Sequence, residues 1–235
     1  MKKIPLTLFL VLIIAIQLSS CGGASKDGTS KDEASKENTI KEVTIGKQVW
    51  MSENLNVDKF RNGEVIPEAK TEKEWKNAGL KKQPAWCYYN NNPDNGERYG
   101  KLYNWYAVND PRGLAPAGFK VPTDEEWNRL IDFLGGESIA VKSMKSTKFW
   151  ADIEKDGIVR NGNGTNESGF AGLPGGIRGN DGEFFSVGGE GYWWVSSESS
   201  ATDAWYRCLT YVTSGSVVKV STKKQAGLSV RCLRD

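Results

Sequence analysis

Histidine is absent from the 235 residues. Its absence excludes Ser-His-Asp and Cys-His nucleophilic catalysis, histidine zinc sites and histidine general bases. The four cysteines, Cys21, Cys87, Cys208 and Cys232, form no Cys-x-x-Cys pair, so zinc is not expected. Aspartate and glutamate total 29, yet no pair stands out as the general acid and base of a hydrolase. The chemistry that remains is binding, and the sequence reads as a non-enzyme. One candidate set is oxygen-bearing: Asn163, Asn166, Glu167 and Asp181 lie in a glycine-rich stretch and offer hard ligands for calcium. Calcium takes roughly six to eight such oxygens. A second set is aromatic: Tyr192, Trp193 and Trp194 follow Gly188-Gly189-Glu190-Gly191. Their rings could stack on sugars while Asn166, Glu167 and Arg178 bond hydroxyls. Adjacent residues on a strand point to opposite faces, so at least one of Trp193 and Trp194 belongs to the core.

Positioning these groups takes a scaffold. Val43, Ile45, Val49 and Met51 suggest two short strands turning at Gly46-Lys47, and Asn62-Gly63 is a hairpin signal. Thr71-Glu72-Lys73-Glu74 fits a capping box for a short helix ending near Gly79. The clearest helix opens at Thr123, with Glu126 able to return the cap bond. Trp127, Leu130, Ile131 and Leu134 form its apolar stripe before Gly135-Gly136 ends it. A second helix is expected over roughly 138–146. Residues 156–191 are dense in glycine and asparagine with no period, which predicts long irregular loops. Strand patterns return at 192–196, 204–212, 217–220 and 228–233, with a turn at Ser214-Gly215. The order describes an α+β domain.

The N-terminus carries an address. Lys2 and Lys3 precede an apolar run from Leu6 to Ile16, too short to span a membrane, and Leu18-Ser19-Ser20 leads into Cys21. This junction resembles the lipobox of bacterial lipoproteins, which implies cleavage after residue 20 and lipid on Cys21. Residues 1–20 are then a signal peptide, and 21–39, almost without apolar side chains, a flexible lipidated tether to a domain at 40–235. The expected address is an outer-membrane lipoprotein, on the cell surface or the periplasmic face, with the membrane as partner through the anchor. The formal charge of +2 offers no case for nucleic acid.

Eight motifs occur in order, among them Val49-Trp50-Met51-Ser52-Glu53-Asn54-Leu55, Tyr99-Gly100-Lys101-Leu102-Tyr103-Asn104-Trp105, Val121-Pro122-Thr123-Asp124-Glu125-Glu126-Trp127 and Ser229-Val230-Arg231-Cys232. Over residues 40–235 the chain resembles the Fibrobacter succinogenes major paralogous domain of Fibrobacter and Bacteroidetes surface and lipoproteins. The Pro-Thr-x-x-Glu-Trp segment and the Arg-Cys end are also similar to the sulfatase-modifying, formylglycine-generating fold, itself C-type lectin-like. That implies two short helices, a small antiparallel sheet and long functional loops. The formylglycine chemistry needs two close thiols, and no Cys-x4-Cys pair exists here. Of the cysteines left after lipidation, Cys87–Cys232 is the pair the family resemblance implies. Cys208–Cys232, tying neighbouring C-terminal strands, is the alternative. The functional expectation is a binding module for polysaccharide or a protein partner, or else a structural or adhesion component of the envelope.

Overall fold

Two threonines set the ends of the best helices. In the computed structural model, which describes residues 40–210 and 215–235, Thr71 Oγ1 accepts from Glu74 N at 3.1 Å and Glu74 Oε2 accepts from Thr71 N at 2.8 Å. This box opens α1, Glu72–Leu80. Thr123 and Glu126 repeat it, at 3.3 and 2.9 Å, for the helix Asp124–Phe133. Trp127, Leu130 and Ile131 are buried there as the stripe requires, and Leu134 packs on the same cluster. Thr123→Ala removes the acceptor and should cost about 1 kcal/mol, read as a shift in the urea midpoint. The signal segment, the tether and lipidation at Cys21 lie outside the described residues, as does the end of the strand expected to reach Val212.

In chain order the elements are β1 (Glu42–Ile45), β2 (Gln48–Met51), α1, β3 (Trp86–Cys87), α2 (Pro93–Tyr99), β4 (Leu102–Asn104), α3 (Trp105–Val108) and β5 (Phe119–Lys120). Then come α4 (Asp124–Phe133), α5 (Glu137–Met144), β6 (Ile153–Lys155), β7 (Ile158–Arg160), β8 (Ile177–Arg178) and β9 (Phe184–Phe185). The chain ends with β10 (Glu190–Glu198), β11 (Asp203–Thr210), β12 (Val218–Lys223), β13 (Gly227–Leu228) and β14 (Leu233–Arg234). The domain is therefore mixed α and β, with five helices among the described residues: the three read from the sequence and two more, where the fold resemblance implied two in all. The extra helices are short. Asn92 caps α2 with Pro93 in its first turn, and the Asn104 side chain caps the single turn of α3. Asn62-Gly63 makes only a turn closed by one bridge, Lys59 to Val65.

The strands form small antiparallel sheets of order β1-β2-β14-β5, β10-β11-β12 and β3-β4-β13-β8-β9, with β6-β7 a separate hairpin. The glycine-rich region is thus not all loop, since β8 and β9 complete the five-stranded sheet. The segment expected as one strand at 228–233 is split. Leu228 pairs with Tyr103 in one sheet and Leu233 pairs with Trp50 in another. The residues between them, Ser229 to Cys232, cross the core and are buried throughout.

That crossing carries an unusual centre. Arg231 is fully buried and donates from Nε and Nη2 to Asn54 Oδ1, at 3.1 and 2.7 Å, and from Nη1 to Met51 O at 3.2 Å and to Phe170 O. Asn54 in turn donates to Tyr99 O at 2.8 Å, and its Oδ1 also accepts from Trp193 Nε1 at 2.8 Å. Around this node Trp50, Trp127, Phe170 and Trp193 pack with successive ring centroids 5.1 to 6.4 Å apart, mostly tilted or edge-on. Several glycines stand against such rings because a side chain would not fit. A Cβ on Gly191 would lie 2.5 Å from Trp193 Cη2, and one on Gly227 would lie 2.8 Å from Trp75 Cη2. The paired abundance of glycine and aromatics is therefore in part a packing arrangement.

Candidate ligand-binding cleft

The sequence offers one of Trp193 and Trp194 to a ligand, but both belong to the core. Trp193 is 1 % exposed and packs toward α4, while Trp194 is 0 % exposed and packs in the other cluster, with Nε1 donating to Tyr103 O at 2.7 Å. The alternation of β10 holds, but both of its faces are covered at this point, so neither ring can stack on a sugar. Arg178 is corrected in the same way. It is 1 % exposed, sandwiched by Trp75 and Phe184, and donates to Gly182 O at 2.9 Å and Ala69 O at 2.7 Å. Tyr192 is buried against Tyr206 and donates its hydroxyl to Glu190; burial and that bond push its pKa up.

The oxygen candidates serve turns. Asn163 Oδ1 accepts from Trp150 N at 3.0 Å, Asn166 Oδ1 from Ala171 N at 2.7 Å, and Asp181 Oδ1 from Glu183 N at 3.2 Å. Asn166 sits at φ +53°, a conformation asparagine tolerates. Among the described residues no three acidic or cysteine side chains converge on a metal-sized site. Of the calcium and ligand candidates together, Glu167 and Asp181 reach an open cleft.

The expected disulfides are absent from the structure, because Cys87, Cys208 and Cys232 are all free and buried. Cys87 packs beside Trp75 and Tyr89, in a different cluster from Cys208 and Cys232. Burial pushes the Cys87 thiol up to about 12, partly offset by Arg178, pushes Cys232 up to about 12, and raises Cys208 as well. Thiolate is the reactive form. These three thiols should therefore resist Ellman's reagent at pH 8 in the native chain and all react once urea unfolds it. A missing pair after unfolding would reinstate the bridge.

The open cleft that holds Glu167 is built by four segments. The β1–β2 turn brings Thr44 to Gly46, the end of α4 brings Phe133 and Leu134, α5 brings Ile139, Lys142 and Ser143, and the loop brings Thr165, Glu167 and Ser168. Its volume is about 600 Å³, within the usual range of ligand sites. The loop is pinned here because the last carbonyls of α5 have no partner within the helix. Thr165 N donates to Lys142 O at 2.9 Å, Ser168 N and Oγ donate to Ser143 O at 3.2 and 2.8 Å, and Gly172 N donates to Met144 O at 2.8 Å. The floor and rim are apolar where α4 and α5 meet, with Phe133 64 % and Ile139 67 % exposed. The mouth carries the exposed charges of Lys142 and Glu167, neither in an ion pair among the described residues. An exposed ring beside hydroxyl-bearing residues, a cation and an anion suits a ligand with one apolar face and many polar edges. Sequence reasoning passed over Phe133, although it falls off the Trp127–Leu134 stripe of its own helix. An aromatic outside the buried stripe was the available signal.

The sequence profile of the Fibrobacter succinogenes major domain matches residues 43–234. The chain belongs to that family. The match runs from β1 to β14, so the family's domain contains both the Arg231–Asn54 node and every wall of the cleft. No curated protein and no solved structure matches the chain. The Fibrobacter succinogenes major domain thus names a scaffold here, and the assignment of a task rests on the cleft itself.

Proposed function

We propose that this protein is a non-catalytic binding module of the cell envelope, anchored by lipid at Cys21, which takes a polysaccharide in the cleft beneath Phe133. The observation that carries the reading is the ring of Phe133, 64 % exposed at the edge of a cleft of about 600 Å³ lined by Thr44, Ser143, Thr165 and Ser168. Sugars present apolar ring faces and hydroxyl edges, and this lining offers the complement to both. Short helices, small antiparallel sheets and a long pinned loop are also consistent with a C-type lectin-like, sulfatase-modifying type of architecture. The absence of histidine supports binding over catalysis. The tether between Cys21 and the domain would hold it near an outer-membrane face, the periplasmic or the external one. Crowded copies on one membrane would compensate a weak single site through multivalency.

The test is calorimetric titration of the full chain, purified in detergent, with glycan fragments. A millimolar dissociation constant corresponds to about 4 kcal/mol, and Phe133→Ala should weaken it at least about tenfold, which is about 1.4 kcal/mol. Because the ring is exposed, the same variant should melt close to the parent. Equal affinity of parent and variant for every glycan would move the site elsewhere, and no glycan binding at all would favour a structural or adhesive role.

A further inference from the structure

A second trough, of about 570 Å³, lies on the other side of Phe133 and is lined by Ile45, Gly46, Lys47, Gln48, Arg129 and Phe133. It shares Ile45, Gly46 and Phe133 with the first. The contact between Gly46 and the Phe133 ring is common to both linings. It is so close that a Cβ on Gly46 would lie 2.9 Å from Phe133 Cδ2. Two neighbouring troughs that share one exposed ring suit a chain lying across both better than a small molecule held in one. The charges along the two troughs are unequal. Lys47 and Arg129 line the second trough and Lys142 the first, against one carboxylate, Glu167. Arg129 also bonds Glu125 at 2.5 Å, outside the lining, which leaves Lys47 and Lys142 against the single carboxylate of Glu167.

Resting on the polysaccharide reading above, we infer that the ligand is an internal stretch of a linear acidic polysaccharide, with one sugar over Phe133 and carboxylates near Lys47–Arg129 and Lys142. Glu167, Thr165 and Ser143 line the first trough, and the two hydroxyls, which donate to Lys142 O and Ala140 O, keep their acceptor lone pairs. Glu167 accepts hydroxyl donors and the exposed Phe133 ring suits a sugar face, so the lining favours a polyhydroxylated acidic chain over a nucleic acid. Exposed charges are screened by salt, and binding should weaken as ionic strength rises.

The experiment is affinity electrophoresis and calorimetry of the full chain with polygalacturonate, its fully methyl-esterified form and dextran, together with galacturonate oligomers of rising length. The esterified polymer should bind at least tenfold more weakly than the acid form. Affinity should rise with oligomer length until both troughs are filled. Lys47→Ala with Arg129→Ala should lower polygalacturonate affinity about tenfold and abolish the preference for the acid form. The remote pair Lys73→Ala with Lys81→Ala should leave both unchanged. Equal binding of acidic and neutral polymers, still lost in Phe133→Ala, would overturn the acidic ligand and leave the polysaccharide site standing. Indifference of every polymer to Phe133→Ala would overturn both. Displacement of polygalacturonate by an equal charge of single-stranded oligonucleotide would show a general polyanion site and overturn the inference.

Discussion

Trp193→Ala is expected to cost about 3–5 kcal/mol, the range for emptying a buried large aromatic. The ring fills the space between Trp127, Phe170 and the backbone of Gly172 and Gly191, and its Nε1 is one of the donors on Asn54 Oδ1. Glycines pressed against the ring have no side chains with which to refill the hole. A domain of this size has a total stability of order 5–15 kcal/mol, so the variant should be marginal at 37 °C. Equilibrium urea unfolding reads the loss. A ligand-stacking tryptophan would behave oppositely, with little change in stability and a large change in affinity. The exposed Phe133 is expected to show that second pattern, and the contrast between the two residues separates scaffold from site.

Arg231→Leu should be at least as damaging, at about 3–5 kcal/mol. Leucine fills part of the volume but removes the guanidinium donor from Met51 O and Phe170 O in a dry interior, and leaves Asn54 Oδ1 with Trp193 Nε1 alone. Each buried acceptor left without a partner costs roughly 1–3 kcal/mol. Burial pushes the guanidinium down to about 9, still well above neutral, so the cation persists at pH 7 and its bonds into these oxygens hold it there. Arg231→Lys should not rescue the fold, because a single ammonium cannot reach along the fork that joins β2, the Phe170 carbonyl and Asn54. Urea midpoints for the two variants check this, and near-parent stability of Arg231→Lys would show that charge alone, not the fork, is what the core needs.

The parts of the fold readable from sequence are those decided within a few residues. Both capping boxes, at Thr71–Glu74 and Thr123–Glu126, involve a cap and a residue three positions on, and both form as read. The β1–β2 turn at Gly46-Lys47 is equally local. Decisions taken at long range were not readable. Whether Trp193 and Trp194 face solvent depends on what covers each side of β10, namely α4 on one face and residues such as Tyr103 and Leu228 on the other. Arg178 in a glycine–asparagine context reads as a solvated residue, yet Trp75 and Phe184 arrive from distant segments to enclose it. The split of 227–234 between two sheets likewise follows from the partners Tyr103 and Trp50, not from the apolar pattern of the segment. For the cleft, Glu167 was legible as a free oxygen in a glycine-rich loop. Phe133, Lys142 and Lys47 were not, because their neighbourhood exists only once the β1–β2 turn packs against the end of α4.

The most direct measurement is an NMR titration of the isotopically labelled full chain with polysaccharide fragments, following amide and aromatic shifts residue by residue. Saturable shifts should be confined to residues 44–48, 129–134, 139–143 and 165–168, the segments that wall the two troughs, with Trp193 and Trp194 indoles unmoved. Saturable shifts centred on any other surface, with the Phe133 ring unchanged, would contradict the proposed site.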